Sequence, residues 1–415
     1  MPELLPFRNF HYKMGRGNPE ILKALVCPPY DVISEEEKIA FKKRHPDNIC
    51  HVILPDNYEA AGKKLNAMIS DGTLICEKDR CICIYGIDYA RPDTGEKVSR
   101  YGFVGLLKLV EIFPAKDGVL PHEMTFKKFI DDRLRIIQET DSNFSPIFTI
   151  YNGKHGVAEK IFKKYVNTPP FLQTVDRDGF THKIWEVWKK KDIEKFKEIV
   201  KNNVIIIADG HHRYITALKH SKEGGCKYIM TLFIDFNDSG LIIYTSHREI
   251  REISVKTMAE FKDKIKDYFE FKDIENYENL NDLMEKNKGK HVFGFYFQNK
   301  FLFLKLKHNI SPEKYIQANQ SKEWKNLNLP ILHEILLTKC FKIDKEHITY
   351  VKDVKEGIEN VDKGKIQALF VVNPTTLMDV QEITANGEIM PHKSTYFYPK
   401  PLSGLVIHKH TNNIE

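Results

Sequence analysis

The chain has 415 residues, 42% of them hydrophobic and 29% charged, with 63 basic residues against 57 acidic ones. That length buries ample core and allows two or three domains. A net charge of +6 spread this thinly, without an Arg-rich stripe, argues against a nucleic-acid partner, and no run reaches the roughly 18 uninterrupted apolar residues of a membrane helix. The N-terminus, Met1-Pro2-Glu3-Leu4-Leu5-Pro6, lacks the layout of a signal peptide, so a cytoplasmic protein is expected. Nothing in the sequence indicates an oligomeric state.

In chain order, Cys27-Pro28-Pro29-Tyr30-Asp31 is a stiff extended segment. It aims a Tyr and an Asp ahead of the capping box Ser34-Glu35-Glu36-Glu37, making Tyr30 and Asp31 candidate substrate contacts. Glu59 to Ser70 reads as an amphipathic helix. Cys81–Ala90 and Val98–Phe113 form a hairpin across Arg91-Pro92-Asp93-Thr94-Gly95. The seven Cys are odd in number and suggest no disulfide framework. Cys81 and Cys83 alternate onto one strand face and read as structural thiols. Leu120-Pro121-His122-Glu123 then leads into a charged helix through Asp131-Asp132-Arg133. Strands are expected at Asn143–Tyr151 and His182–Trp188, and a helix from Asp192 to Asn202.

The central stretch is Val204-Ile205-Ile206-Ile207-Ala208, a buried strand, running into Asp209-Gly210-His211-His212-Arg213 and a helix. Gly210 permits a sharp turn and close backbone approach. His211, His212 and Arg213 fall on the first helical turn, where N–H groups and the dipole already favour an anion, so the turn reads as a phosphate cradle. Capping alone would account for Asp209; it could equally hold Mg2+ or take a proton.

Beyond it, Tyr228–Phe236 is a strand, and Leu241–Arg248 a strand ending in the pair His247-Arg248, which shares the cleft or forms a surface ion pair. A boundary is expected at 250–256. A helix over Thr257–Tyr268, strands in His291–Leu306, a helix bearing His333-Glu334, a strand at Lys365–Val372 and a helix over Thr375–Asn386 follow. The run Met390-Pro391-His392-Lys393-Ser394-Thr395-Tyr396-Phe397-Tyr398-Pro399-Lys400 puts Lys beside hydroxyl residues. Lys393, Ser394, Thr395 and Lys400 are therefore candidate phosphate contacts, and the 390–406 run is expected to fold back to the site.

Asp-Gly-His-His-Arg between strand and helix resembles the signature of the ParB/sulfiredoxin-like fold, one branch of which comprises free L-serine kinases. Leu-Pro-His-Glu resembles the segment carrying their catalytic glutamate. Eighty-six residues separate Glu123 from Asp209, which implies an insertion including 152–203. From Pro6 to about Ile407 the motifs together resemble a family long catalogued as a domain of unknown function, similar to pyrophosphate-dependent L-serine kinases. The resemblance implies an α+β chain: a ParB/sulfiredoxin-like mixed α/β core at 116–250, an N-terminal α/β region at 1–115 and a C-terminal α/β domain at 251–415. It implies phosphoryl transfer from pyrophosphate to L-serine. Glu123 would be the base, Asp209 the Mg2+ ligand, and Gly210, His211, His212 and Arg213 the donor site, with His122 nearby. No Walker A loop or Rossmann fingerprint promises an adenine pocket, which favours a small donor. The alternatives are an ATP- or ADP-dependent kinase or a phosphatase on the same cradle, and a non-catalytic ParB-like nucleotide-binding switch.

Overall fold

The structure, a computed structural model, describes residues 1–92, 94–113, 118–153 and 156–410. Asp93, in the expected hairpin loop, lies outside the described residues. The chain divides into two compact units, Met1–Ile242 with Pro399–Glu415, and Ile243–Tyr398.

The first unit is built on a nine-stranded sheet. Its strands are β1 (Leu4–Leu5), β2 (Ile82–Ala90), β3 (Lys97–Lys108), β4 (Val119–Leu120), β5 (Ile147–Tyr151), β6 (Leu172–Val175), β7 (Thr181–Val187), β8 (Ile205–Asp209) and β9 (Tyr228–Asp235). They lie in the order β4-β8-β5-β9-β3-β2-β7-β6, with β1 beside β3. Most ladders are antiparallel, but β4 runs parallel to β8 and β5 parallel to β9. The helices of this unit include α1 (Lys127–Thr140), α2 (Val157–Tyr165), α3 (Lys190–Lys201) and α4 (His211–Lys222). Their apolar stripes explain the packing. Leu134 and Ile137, Ile161 and Phe162, Phe196 and Val200, and Tyr214 and Leu218 all join one core with Phe103, Ile147, Ile205 and Phe233. Phe103 stacks between Phe196 and Phe233 at 4.5 and 4.9 Å. Inner strands such as β5 are buried at every position, which is why they read as nearly continuous apolar runs, broken in β5 only by Thr149, rather than alternating ones.

The second unit carries a six-stranded sheet. Its strands are β10 (His247–Ile250), β11 (Phe269–Ile274), β12 (Val292–Phe297), β13 (Lys300–Leu306), β14 (Ile348–Val351) and β15 (Ala368–Val372). The order is β11-β13-β12-β15-β10-β14. Helices α5 (Met258–Ile265) and α6 (Ile331–Cys340, wound as a π-helix) supply Phe261, Leu332 and Leu336 to its core.

The chain is α+β, as expected. The proposed boundary at 115 does not appear in the sheet: β2 and β3 pair with the strands of the expected core, so 1–115 and 116–242 share one structure. The division falls at Ile242/Ile243 rather than at 250–256, and the C-terminal run is shared out, with Met390–Tyr398 in the second unit and residues from Pro399 in the first. His247 and Arg248 open a strand instead of ending one, because the chain leaves strand geometry at Thr245-Ser246.

Candidate active site

The turn at the end of β8 is shaped by two backbone irregularities. Ile207 pairs with Thr149 but Asp209 pairs with Phe148, so Ala208 is an extra residue in the ladder. Such a bulge re-aims the residue that follows it. Gly210 then takes φ 96°, the left-handed region, and caps α4. A Cβ there would lie 2.9 Å from Arg213 Nη2 and from Ile147 Cγ2, so the position needs glycine for both conformation and room.

Asp209 sits between two cations. Lys400 Nζ is 2.6 Å from its Oδ1, and Arg213 Nη2 donates to its Oδ2 at 3.0 Å. Lys400 also donates to Asp31, on the short turn Tyr30–Val32 that follows Pro28-Pro29. Burial pushes the Asp209 carboxyl up, but Lys400 and Arg213 outweigh burial and hold it below the usual carboxylate range. Burial likewise works against the Lys400 ammonium, yet the Asp209 and Asp31 carboxylates raise its pKa well above the ordinary lysine value. The rest of the Arg213 fork reaches Ser145 Oγ at 2.9 Å, Ser145 O at 3.1 Å and Pro146 O at 2.9 Å.

The short β4 strand runs parallel to β8, pairing Val119 with Ile205 and Leu120 with Ile206. Parallel neighbours end on the same side, so Pro121-His122-Glu123 emerges beside the Asp209 turn. Two imidazoles pin this loop. His211 Nε2 accepts the His122 N–H at 3.1 Å, and His212 Nε2 accepts the Phe126 N–H at 3.0 Å. His122 Nδ1 donates to Ile207 O at 2.6 Å. Burial pushes His211 well below the ordinary histidine range, lowers His122 to about 4, and lowers His212 despite the carboxylates of Glu123 and Asp31. Glu123 Oε2 stands 3.9 Å from His211 Nδ1, with its side chain 38% exposed and so reachable by a substrate.

These contacts alter several of the roles expected from sequence. The ring nitrogens Nε2 of His211 and His212 and the Arg213 fork are engaged within the protein, so they organise the turn and the 121–126 loop rather than standing open to a phosphate. Lys400 and Arg213 each engage one Asp209 carboxylate oxygen, so a magnesium ion held there would share the carboxylate with both side chains. Tyr30 is a wall residue. Its ring lies under the Arg133 guanidinium at 4.1 Å, and burial pushes its phenol up to about 12. Tyr30, Arg133, Ser145, Arg213 and Ser403 line one largely apolar cavity. Sequence patterns alone do not single out Ser145 and Arg133. The Ser145-Pro146 break just before β5 is the available signal.

His247, Arg248, Lys393, Ser394 and Thr395 belong to the second unit. There Arg248 is fully buried and donates to Ser246 O, His333 Nε2, and the carbonyls of His392 and Lys393 at 3.3 Å. His247 Nδ1 accepts the Val372 N–H at 3.2 Å, and burial lowers it to about 4. The Ser394 hydroxyl donates inward to Pro391 O. Arg248 and Ser394 thus hold the 391–394 turn, which replaces the surface ion pair or cleft role expected of Arg248 and leaves the Ser394 hydroxyl turned away from any ligand.

The family model described as "Protein of unknown function (DUF1015)" matches residues 4–329. The chain belongs to that family. An ATP-dependent L-serine kinase from Staphylothermus marinus is 24% identical over 190 residues, 46% of this chain and 65% of the relative. The chain therefore spans just under two thirds of that relative's length. Among solved structures, a free serine kinase variant in complex with ADP is 14% identical, covering 69% of this chain and 88% of its own, with a TM-score of 0.34. A conserved hypothetical protein from Pyrococcus furiosus is 15% identical, covering 69% and 90%, with a TM-score of 0.32. Among the described residues, no helix is long and apolar enough to cross a membrane.

Proposed function

We propose that this DUF1015 member is a kinase for the hydroxyl of free L-serine. The observation that carries the reading is the placement of Glu123: two imidazole–amide hydrogen bonds from α4 hold its loop beside the Asp209–Arg213 turn, and its carboxylate remains partly exposed. In the step proposed, Glu123 takes the serine hydroxyl proton, the oxygen attacks the terminal phosphorus, and the donor departs with the electron pair of the broken P–O bond. Phosphoryl transfer asks the protein for positioning and charge rather than covalent chemistry. Lys400 and Arg213 are the fixed cations at the turn.

The donor assigned here is a nucleotide, ATP, in place of the pyrophosphate expected from sequence. The curated relative, named ATP-dependent, supports this choice. The lack of a Walker A loop excludes only one way of holding a nucleotide. Charge points to a donor that arrives with its own divalent cation: Asp31, Asp209 and Glu123 are three carboxylates against the two cations Lys400 and Arg213, and the histidines are held neutral by burial.

The test incubates the purified chain with magnesium, L-serine and, in separate reactions, ATP, ADP and pyrophosphate, and measures O-phosphoserine. Product with ATP is expected. Product with pyrophosphate alone would return the donor to the smaller molecule, and nucleotide binding without product would favour a non-catalytic switch. Glu123→Gln keeps the shape of the side chain and removes the base. A positioned base contributes roughly 10²–10⁴-fold, so kcat should fall at least about tenfold while donor KM stays near wild type. Wild-type turnover in this variant would place the base elsewhere.

A further inference from the structure

At the other end of α4 lies a second constellation, well away from the turn. His220 is in the last turn of that helix, nine residues past His211, which at about 1.5 Å per residue is roughly 13 Å along the axis. Asp141 ends α1 in the left-handed conformation, with φ 46°. His410 follows the short strand His408–Lys409, which pairs with Ser142–Asn143 and so brings the C-terminal segment to Asp141. Each of Asp141, His220 and His410 can offer one ligand atom, and the three atoms lie within 4.8 Å of one another.

Their hydrogen bonding leaves nitrogens over. His410 Nδ1 meets Asp141 Oδ1 at 2.9 Å. Buried without a hydrogen-bond partner are His410 Nε2, His220 Nδ1 and the Nε2 of the neighbouring His408, whose ring centroid is 5.1 Å from that of His410. His410 is 6% exposed and His408 fully buried. A buried polar atom without a partner carries a desolvation cost that folded proteins seldom leave uncompensated. Two of these nitrogens belong to residues grouped with Asp141, where a bound cation would take up imidazole lone pairs. Gly225 makes the cluster possible, because a Cβ there would lie 2.2 Å from the His220 ring.

We propose that Asp141, His220 and His410 bind one divalent transition-metal ion of the zinc class. Imidazole and carboxylate suit such an ion, and a carboxylate next to a ligating histidine is a recurrent arrangement. Tetrahedral ligands at about 2.0–2.1 Å stand roughly 3.4 Å apart, so binding draws the three side chains together. The ion ties the C-terminal segment to α1 and α4, the helix whose first turn shapes the candidate active site.

The untagged full chain, stripped with a chelator, is titrated with Zn2+ and with Co2+ alone. One equivalent of Co2+ is expected, with visible d–d bands of a low-coordinate N/O site and no near-ultraviolet thiolate band. His220→Gln and His410→Gln should each weaken binding at least about 100-fold. Cys81→Ser with Cys83→Ser should leave it unchanged, which separates this site from the buried Cys81, Cys83 and Glu186 group. X-ray absorption of the zinc-loaded wild type, which needs no variant to fold, should show histidine scattering and no sulfur. Failure to take up stoichiometric metal, sulfur in the first shell, or equal uptake by the His220→Gln/His410→Gln double variant would overturn the proposal.

Discussion

At the scale of single residues, Lys400 decides the charge of the candidate active site. Its side chain is 9% exposed and lies between two carboxylates, Asp31 and Asp209. Removing one partner from a buried pair leaves an uncompensated charge, typically costing about 3–5 kcal/mol. Lys400→Met should therefore lower stability by an amount of that order and abolish turnover. Adding Asp209→Asn should recover part of the stability and none of the activity. Equal denaturation midpoints for wild type and Lys400→Met would show that the triad is not coupled. His122 offers a second test, through pH. Burial lowers it from 6.5 to about 4, so between those values the unfolded chain binds a proton that the folded chain refuses. Stability is then fully present above 6.5 and is lost as pH falls toward 4, by at most about 1.4 kcal/mol per pH unit for one group. His122→Asn can keep a donor toward Ile207 O without the titration, so its unfolding free energy should depend on pH less steeply than wild type between pH 6.5 and 4.5. Equal slopes would mean that His122 is not the group responsible.

At the scale of elements, the strand–turn–helix at Ile205–Lys222 was legible because its signals are local: five apolar residues in a row, a glycine, then helical spacing. The capping box at Ser34 and Glu37 was legible for the same reason and is present. The partners of that turn were half legible: Asp31 and Lys400 were both candidate site residues, but not as an ion pair beside Asp209. Lys400 reaches Asp31 across 369 residues, and nothing in a sequence pattern ranks one distant lysine above another. The neighbours Lys393, Ser394 and Thr395 looked as good, yet they belong to the other unit. The chemistry of the histidines was half legible. Their placement on the first helical turn was visible, but that they would accept amide protons from the 121–126 loop depends on β4 pairing in parallel with β8, a strand of only two residues. The turn itself is testable by comparing two glycines of positive φ. Gly210→Ala should cost about 1–3 kcal/mol in backbone strain and, by crowding Arg213 Nη2, also lower activity. Gly17, at φ 72° with nothing within 4 Å of the place a Cβ would take, isolates the strain. Gly17→Ala should lose a comparable increment of stability and keep its activity; equal activity in both variants would mean that the space at Gly210 is not needed by Arg213.

At the scale of the molecule, the second unit is an uninterrupted stretch, Ile243–Tyr398, whereas the first is completed only when the chain returns at Pro399. Their capacities to fold alone should differ accordingly. The Ile243–Tyr398 stretch closes its own six-stranded sheet and its own core, in which Phe261 stacks on Phe295 at 3.8 Å and on Phe341 at 4.8 Å. A domain of that size, with two apolar clusters packed on its own sheet, unfolds as a cooperative unit. The first unit depends on its last segment in three places: Ile407 bridges to Phe10, Ser403 to Cys27, and His408 pairs with Asn143. That segment also buries Leu402, Leu405 and Val406 and carries Lys400. Cut at 242, the N-terminal fragment would leave these strand and bridge partners unpaired and Asp209 without one of its two cations. The expected outcome is that 243–398, expressed alone, gives a single cooperative thermal transition with dispersed amide resonances. The 1–242 fragment should be poorly soluble or molten, and joining 399–410 to it through a short flexible linker should restore a cooperative transition. A well-folded 1–242 fragment would show that the returning segment only decorates the first unit, and its role in holding the Asp209 turn would then rest on Lys400 alone.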